Sequence, residues 1–223
     1  MSRLTNWLDE RIGIRGIRET LLDRKIPKGV GWPYVLGSVS LFLFTLQVVT
    51  GILLAMNYSP SPEHAHSSVS YMMQKIPMGS VVRGLHHWGA SFMVVAVTLH
   101  LLRTFFYGAY KYPRELTWIT GIFIWLLVLG FGFTGYLLPW DQKAYWATMV
   151  GANIASQAPF LGPAIAKVLR GGEALGAVTL TRFYAFHVLL LPALTALLIG
   201  FHLFLVVRIG ISAPPEKEDK NKP

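Results

Sequence analysis

The chain has 223 residues, 53% of them hydrophobic and 14% charged, with a formal net charge of +9. A soluble domain normally carries about a quarter charged residues, and a mean hydropathy of +0.46 excludes an ordinary soluble enzyme. Zero cysteine excludes disulfides, thiolate metal sites, iron–sulfur ligation and any thioether-attached group.

The first 30 residues are charged throughout and lack the apolar core of a signal peptide, so none is expected to be cleaved. They carry a helical stripe of Leu4, Trp7, Leu8, Ile14, Ile17, Leu21 and Leu22 with Arg, Asp and Glu between. This predicts an amphipathic helix over 1–30, lying in the membrane interface or against a partner's cytoplasmic face. Four stretches without Asp, Glu, Lys or Arg follow, at 32–58, 84–102, 116–140 and 183–207. Each exceeds the roughly 18 apolar residues that mark a membrane-spanning helix. The first ends in the turn-forming run Asn57-Tyr58-Ser59-Pro60, and the loop after it predicts a short helix near 67–74. A brief turn at 109–115 makes spans two and three antiparallel neighbours. The connection of about 40 residues before span four is too long for a plain turn, and predicts surface helices near 142–155 and 163–169. A charged tail occupies 213–223. The fold class expected is therefore all-α: an integral membrane four-helix bundle over 31–212 with an N-terminal amphipathic surface helix.

The positive charge follows topology and does not indicate nucleic-acid binding. Arg3, Arg11, Arg15, Arg18, Arg24, Lys25 and Lys28 precede span one; Arg103, Lys111 and Arg114 lie between spans two and three; Arg208, Lys217, Lys220 and Lys222 follow span four. The opposite loops hold Lys75 and Arg83, then Lys143, Lys167, Arg170 and Arg182. The bias of basic residues places both termini on the cytoplasmic side.

Four of the seven histidines form matched pairs within spans: His86 and His100 in span two, His187 and His202 in span four; His87 also borders span two but has no counterpart in span four. A histidine in hydrocarbon needs a partner and marks a functional site. Spans two and four run the same way, so His86 and His187 lie near the outer face, and His100 and His202 near the inner one. Separations of 14 and 15 residues correspond to roughly 21 to 22 Å along each helix. In a regular α-helix they rotate by about −40° and +60°, so each pair shares broadly one face. A bis-imidazole haem site, a zinc site and a proton relay are the alternatives. Zinc usually takes four ligands, or three plus water, and no Cys, Asp or Glu lies at these depths. Relays normally include acids, also missing. Haem iron with two axial histidines needs these residues and a clear slot.

Glycines are candidates for that slot. Gly37 and Gly51 in span one, and Gly121 and Gly135 in span three, are each 14 residues apart, matching the histidine rise. Ordinary close helix packing is the plainer role for any one of them. Arg83 precedes His86 by three residues and Arg103 follows His100 by three. Each lies about one turn outward, able to reach a propionate by a charge-assisted bond, or to snorkel to headgroups. His64 and His66 read as loop residues, and His87 as a surface or supporting residue.

The stretches RGLHHWGAS, PRELTWITG, GFTGYLLPWDQKAYWA and LTRFYAFHVLLLPALTALLIGFH resemble the cytochrome b family, in its short four-helix form called cytochrome b6. The resemblance covers residues 32–212. It implies two non-covalent b haems, with His86 and His187 as ligands of an outer, low-potential haem and His100 and His202 of an inner, high-potential one. It places Arg83 and Arg103 against the haem propionates, and Trp118 at the inner haem. The short form usually has a cysteine at Val35 that attaches an extra c-type haem, and often an arginine at Val207. Both are valine here, so no covalent haem c is expected.

The resemblance implies the electron-transfer subunit of a quinol:cytochrome c or plastocyanin oxidoreductase. Quinol oxidised at the outer face would give one electron to a Rieske iron–sulfur protein and one to the haems, which reduce quinone at the inner face with proton translocation. Expected partners are a small subunit carrying a Pro-Glu-Trp-Tyr motif that this chain lacks, the Rieske protein, a c-type cytochrome, membrane lipid and a second copy in a homodimeric complex. The expected location is a bacterial plasma membrane or a thylakoid-type membrane. Quinone-site candidates are Tyr136, Tyr145, Ala147 and Val150 at the outer side, and Arg208 at the inner side. A dihaem membrane anchor of a dehydrogenase or hydrogenase is the alternative.

Overall fold

The computed structural model describes residues 3–12, 16 and 26–215. The part of the leader stripe formed by Ile14, Ile17, Leu21 and Leu22, and the tail beyond residue 215, lie outside the described residues. Every regular element among them is helical. Helix α1 (Arg3–Ile12) is the described part of the leader. A 3₁₀ turn over Trp32–Val35, started by Pro33, leads into α2 (Leu36–Ala55). Then come α3 (Ala65–Lys75), α4 (Gly79–Phe106), α5 (Glu115–Leu137), α6 (Gln142–Ser156), α7 (Gly162–Arg170) and α8 (Ala177–Ala185). A π-helical turn over Phe186–Leu190 joins α8 to α9 (Leu191–Ile209).

Four helical segments are long and apolar enough to cross a bilayer: Trp32–Ala55, Gly79–Phe106, Glu115–Leu137 and Ala177–Ile209. Only 6–22% of the residues in their most apolar windows are covered by the protein itself. Apolar helices this bare need another apolar medium around them, which is what a bilayer supplies. The three short helices expected between the spans are all present, one or two residues longer than their patterns suggested at each end where they differ.

Local chemistry accounts for the corners. Asp141 caps α6, its carboxylate accepting from the Ala144 N–H at 2.8 Å, one of the donors a helix start leaves unsatisfied. Between α3 and α4, Pro77 and a left-handed Met78 (φ 61°) turn the chain so tightly that a Cβ on Gly79 would sit 1.9 Å from the Met72 carbonyl oxygen. Only glycine fits there. At the same end, Tyr58 donates to the Leu138 carbonyl at 2.7 Å, and Ala65, Leu137, Leu180 and Phe183 form a buried cluster beneath it.

Pairing of the long helices sets up the site. Helix α2 packs along α4, α5 packs along α9, and α4 also touches α5. Helix α4 and the segment formed by the π turn and α9, which carry the histidines, are not among the closely packed pairs. Each leans on a glycine-bearing neighbour, and a slot is left between them.

The π turn corrects one expectation. A regular α-helix from His187 to His202 would rotate the two rings by about +60° relative to each other. Instead the Leu191 N–H reaches back five residues to the Phe186 carbonyl, so one residue is absorbed by the wider turn. The 15-residue spacing then acts as about 14 α-helical positions, and the phase returns to that of His86 and His100. Pro192 explains the location, since it offers no N–H to the carbonyl ladder of the turn before it.

Candidate functional site

The four histidines lie at two levels. At one level the rings of His86 and His187 face each other edge to face, with centroids 6.3 Å apart. A single metal ion bound by one nitrogen of each ring, at about 2 Å per bond, fits a separation of this size. At the other level His100 and His202 line a cavity of about 310 Å³ together with Gly37, Gly121, Arg103 and Trp118. His86 thus shares a level with His187, and His100 with His202.

Each histidine lies against one of the four glycines. A Cβ built on Gly37 would lie 3.2 Å from His100 Cε1, and one on Gly51 3.2 Å from His86 Cε1. On Gly121 it would lie 3.5 Å from His202 Cε1, and on Gly135 only 2.6 Å from His187 Cε1. The glycines therefore do more than let helices approach: they clear the ground on which the rings stand. They face the histidines of their own neighbouring helix.

A second set of contacts was not read from the sequence. The hydroxyl of Thr50 lies 2.9 Å from His86 Nδ1, that of Thr120 2.9 Å from His202 Nδ1, and that of Thr134 3.1 Å from His187 Nδ1. Each of these threonines immediately precedes one of the site glycines. Position 36, before Gly37, is leucine, and His100 Nδ1 is buried without a hydrogen-bond partner. The repeated Thr-Gly pair was the available signal.

Arg103 enters the cavity and its guanidinium carbon stacks 3.4 Å over the Tyr34 ring and 5.2 Å from that of Tyr107. Its Nε and one terminal nitrogen are buried without acceptors. A cation held this way is built to receive an anion. Arg83 is placed differently, with a terminal nitrogen 3.2 Å from Met73 Sδ. Trp118 lines the cavity and stands near Tyr110. Arg114 closes the same end by donating to the Gly210 and Ile211 carbonyls at 3.1 and 3.3 Å.

The donor set fits haem. Two imidazoles at each level, four ring-facing glycines, a slot between α4 and α9, and a buried guanidinium without an acceptor are what an anionic macrocycle with bis-histidine ligation requires. Among the described residues no group of three or more His, Cys, Asp or Glu is placed to hold a bare metal ion. His66 Nδ1 contacts the Pro139 carbonyl at 3.3 Å, and His64 stands at the start of α3, so neither joins the site.

Comparison with known proteins settles the family. Residues 21–210 match the family model described as cytochrome b/b6/petB. The chain belongs to the cytochrome b family. It is 43% identical over 222 residues to the menaquinol:cytochrome c reductase cytochrome b subunit of Geobacillus thermodenitrificans, covering 96% of this chain and 99% of that one. It is 42% identical over 214 residues to cytochrome b6 of Synechococcus sp. (strain JA-3-3Ab), covering 96% and 100%. A chain of a solved hyperthermophilic respiratory Complex III superposes with a TM-score of 0.87 at 36% identity, covering 98% of this chain. This chain spans 59% of that longer one. Membership in the cytochrome b family implies haem binding, in agreement with the donor set.

Of the quinone-site candidates of this cytochrome b, Tyr136 lies on α5, Tyr145, Ala147 and Val150 on α6, and Arg208 on α9. Tyr136 is 44% exposed at the end of α5 and Val150 56% exposed on α6. Ala147 is exposed too, whereas Tyr145 packs edge to face on Trp140. Arg208 is exposed and does not line the His100–His202 cavity, nor does Val35. Arg114, Tyr34 and Ser212 occupy that rim instead.

Proposed function

We propose that the chain is the dihaem cytochrome b subunit of a quinol:cytochrome c or plastocyanin-type oxidoreductase, carrying electrons between a quinol-oxidising face and a quinone-reducing face. His86 with His187, and His100 with His202, each hold one non-covalent b haem. The observation that carries this reading is the fourfold repeat of a histidine ring standing on a glycine, at two levels of one bundle. Packing histidines or a proton relay would not need the same clearance four times.

When bound, b haem supplies a one-electron ferric–ferrous couple. The chain's own residues fix where that couple sits. Helix α4 and the segment formed by the π turn and α9 set the spacing of the two levels, and the π turn keeps His187 in phase with His202. Arg103 holds an anionic edge at the His100–His202 level, and Arg83 is the corresponding residue at the other. Apolar side chains of the bundle, among them Met93, Val97 and Val128, exclude water between the levels.

The basic residues favour both termini on the cytoplasmic side, with the His100–His202 level nearest them. The exposed ends of α5 and α6, with Tyr136, Ala147 and Val150, are the chain's share of a quinol site completed by a small subunit bearing a Pro-Glu-Trp-Tyr motif. A Rieske protein, a c-type cytochrome and a second copy of the complex are the further partners.

The deciding experiment is a reduced-minus-oxidised spectrum of the purified complex with pyridine-haemochrome quantitation. Two b haems per copy of this chain are expected. An absent b-type α band, or one haem per chain, sinks the reading.

A further inference from the structure

We propose that Thr50, Thr134 and Thr120 fix the tautomer and strengthen the donor character of three of the four histidine ligands, and that their unequal distribution makes the His100–His202 haem the higher in potential. This rests on haem ligation as proposed above.

The direction of each hydrogen bond follows from counting protons. A threonine hydroxyl has one proton and can accept as well. Thr50 Oγ1 donates to the Leu46 carbonyl at 2.6 Å, Thr120 Oγ1 to that of Leu116 at 3.0 Å, and Thr134 Oγ1 to that of Gly130 at 2.8 Å. With that proton committed, each oxygen faces its histidine Nδ1 as an acceptor. Nδ1 must then carry the ring proton, and Nε2 is left with the free pair that binds iron.

An acceptor on Nδ1–H makes the imidazole a stronger donor through Nε2. Stronger donation favours ferric over ferrous iron and lowers the potential, hydrogen bonding around the ligands being one of the protein's levers on a haem. At the His86–His187 level both rings have a threonine. At the other level only His202 has one, because Leu36 stands where the fourth threonine would be and His100 Nδ1 has no partner. The chain thereby sets a downhill direction from the His86–His187 level to the His100–His202 level. These threonines are positioning residues, acting through the histidines.

The test is a potentiometric titration of each haem in the purified holo-complex, alongside haem content. Thr50→Val or Thr134→Val should raise the midpoint of the His86–His187 haem alone. At the wild-type midpoint the ferric-to-ferrous ratio should fall at least threefold, about 28 mV at 59 mV per tenfold for one electron. Thr120→Val should do the same to the other haem alone. Serine at each position, which keeps the hydroxyl, should restore the wild-type value. Leu36→Thr should lower the His100–His202 midpoint by supplying the missing acceptor. Valine variants that keep full haem with unmoved midpoints overturn the proposal, as does an unmoved midpoint in a haem-replete Leu36→Thr. If a valine variant loses haem, the serine and Leu36→Thr variants decide. A wild-type complex without two b haems per chain instead overturns the ligation reading, so the two failures are distinct.

Discussion

A Cβ on Gly135 would stand 2.6 Å from His187 Cε1, the closest of the four glycine–histidine approaches. Real carbon contacts are not made at that distance, so an alanine there must push the ring or the helix. At Gly37 and Gly51 the corresponding distance is 3.2 Å, and at Gly121 it is 3.5 Å, an ordinary contact. Alanine substitutions should therefore be graded. Gly135→Ala should cost most of the haem at the His86–His187 level, Gly37→Ala and Gly51→Ala part of theirs, and Gly121→Ala little. Gly135→Leu should abolish incorporation at its level. Haem per chain in membranes of equal protein content measures the series, and a flat series would refute clearance as the reason for glycine.

The two levels should be separable by ligand removal. His100→Ala or His202→Ala should remove one haem and leave the other, and His86→Ala or His187→Ala should remove the one left before. Potentiometry distinguishes them, since the remaining couple differs between the two sets. If His86→Ala and His202→Ala depleted the same couple, the pairing across α4 and α9 would be wrong.

The four spans, the three short helices and the two histidine levels were legible because each rests on a pattern local to the chain. Charge-free stretches set the spans, and a common rise of about 14 residues links the histidines to the glycines. Two features lay beyond that reading. The π turn at Phe186–Leu190 changes helix phase by one residue, and periodicity assumes an unbroken ladder; Pro192 was its one visible mark. The threonine contacts join helices far apart in sequence, 36, 82 and 53 residues for Thr50–His86, Thr120–His202 and Thr134–His187. No local pattern carries such a pairing, although a Thr-Gly repeat across two helices pointed to it. Arg208 follows span four at the inner side, but its place along the chain does not say which side of the helix it occupies, and it does not line the His100–His202 cavity.

Tyr58 lies just beyond the end of α2 and clamps it to the end of α5 by donating to the Leu138 carbonyl at 2.7 Å. Burial holds its phenol above the ordinary value of 10, with the neighbouring Tyr184 adding to the shift. A raised value means the folded chain prefers the protonated form. The stabilisation is fully present below pH 10 and is lost as pH rises past it. Tyr58→Phe should lower stability by about 1 kcal/mol at neutral pH and should flatten the loss on the alkaline side. Thermal unfolding in detergent from pH 8 to 11, wild type against variant, measures both. Parallel alkaline slopes would show that this phenol does not contribute.

Arg103 places a cation inside the cavity, on the face of Tyr34, with two of its nitrogens buried and unpaired. Stacking on aromatic rings offsets part of the cost of bringing the charge there, but the unmet donors remain unfavourable until an anion meets them. Under the proposed haem ligation, a propionate is the anion that would meet them. Arg103→Leu removes the charge and should weaken haem retention at the His100–His202 level by roughly tenfold to a hundredfold, from the 1.5–3 kcal/mol typical of a hydrogen bond to a charged group. Arg103→Lys keeps the charge but cannot spread it over the Tyr34 face or present a fork, and should fall between. The readout is haem loss to an excess of apomyoglobin, followed at the α band of each haem. Rapid loss confined to the His100–His202 haem is the expected result. Equal loss from both levels would mean that Arg103 supports the bundle and does not hold the cofactor.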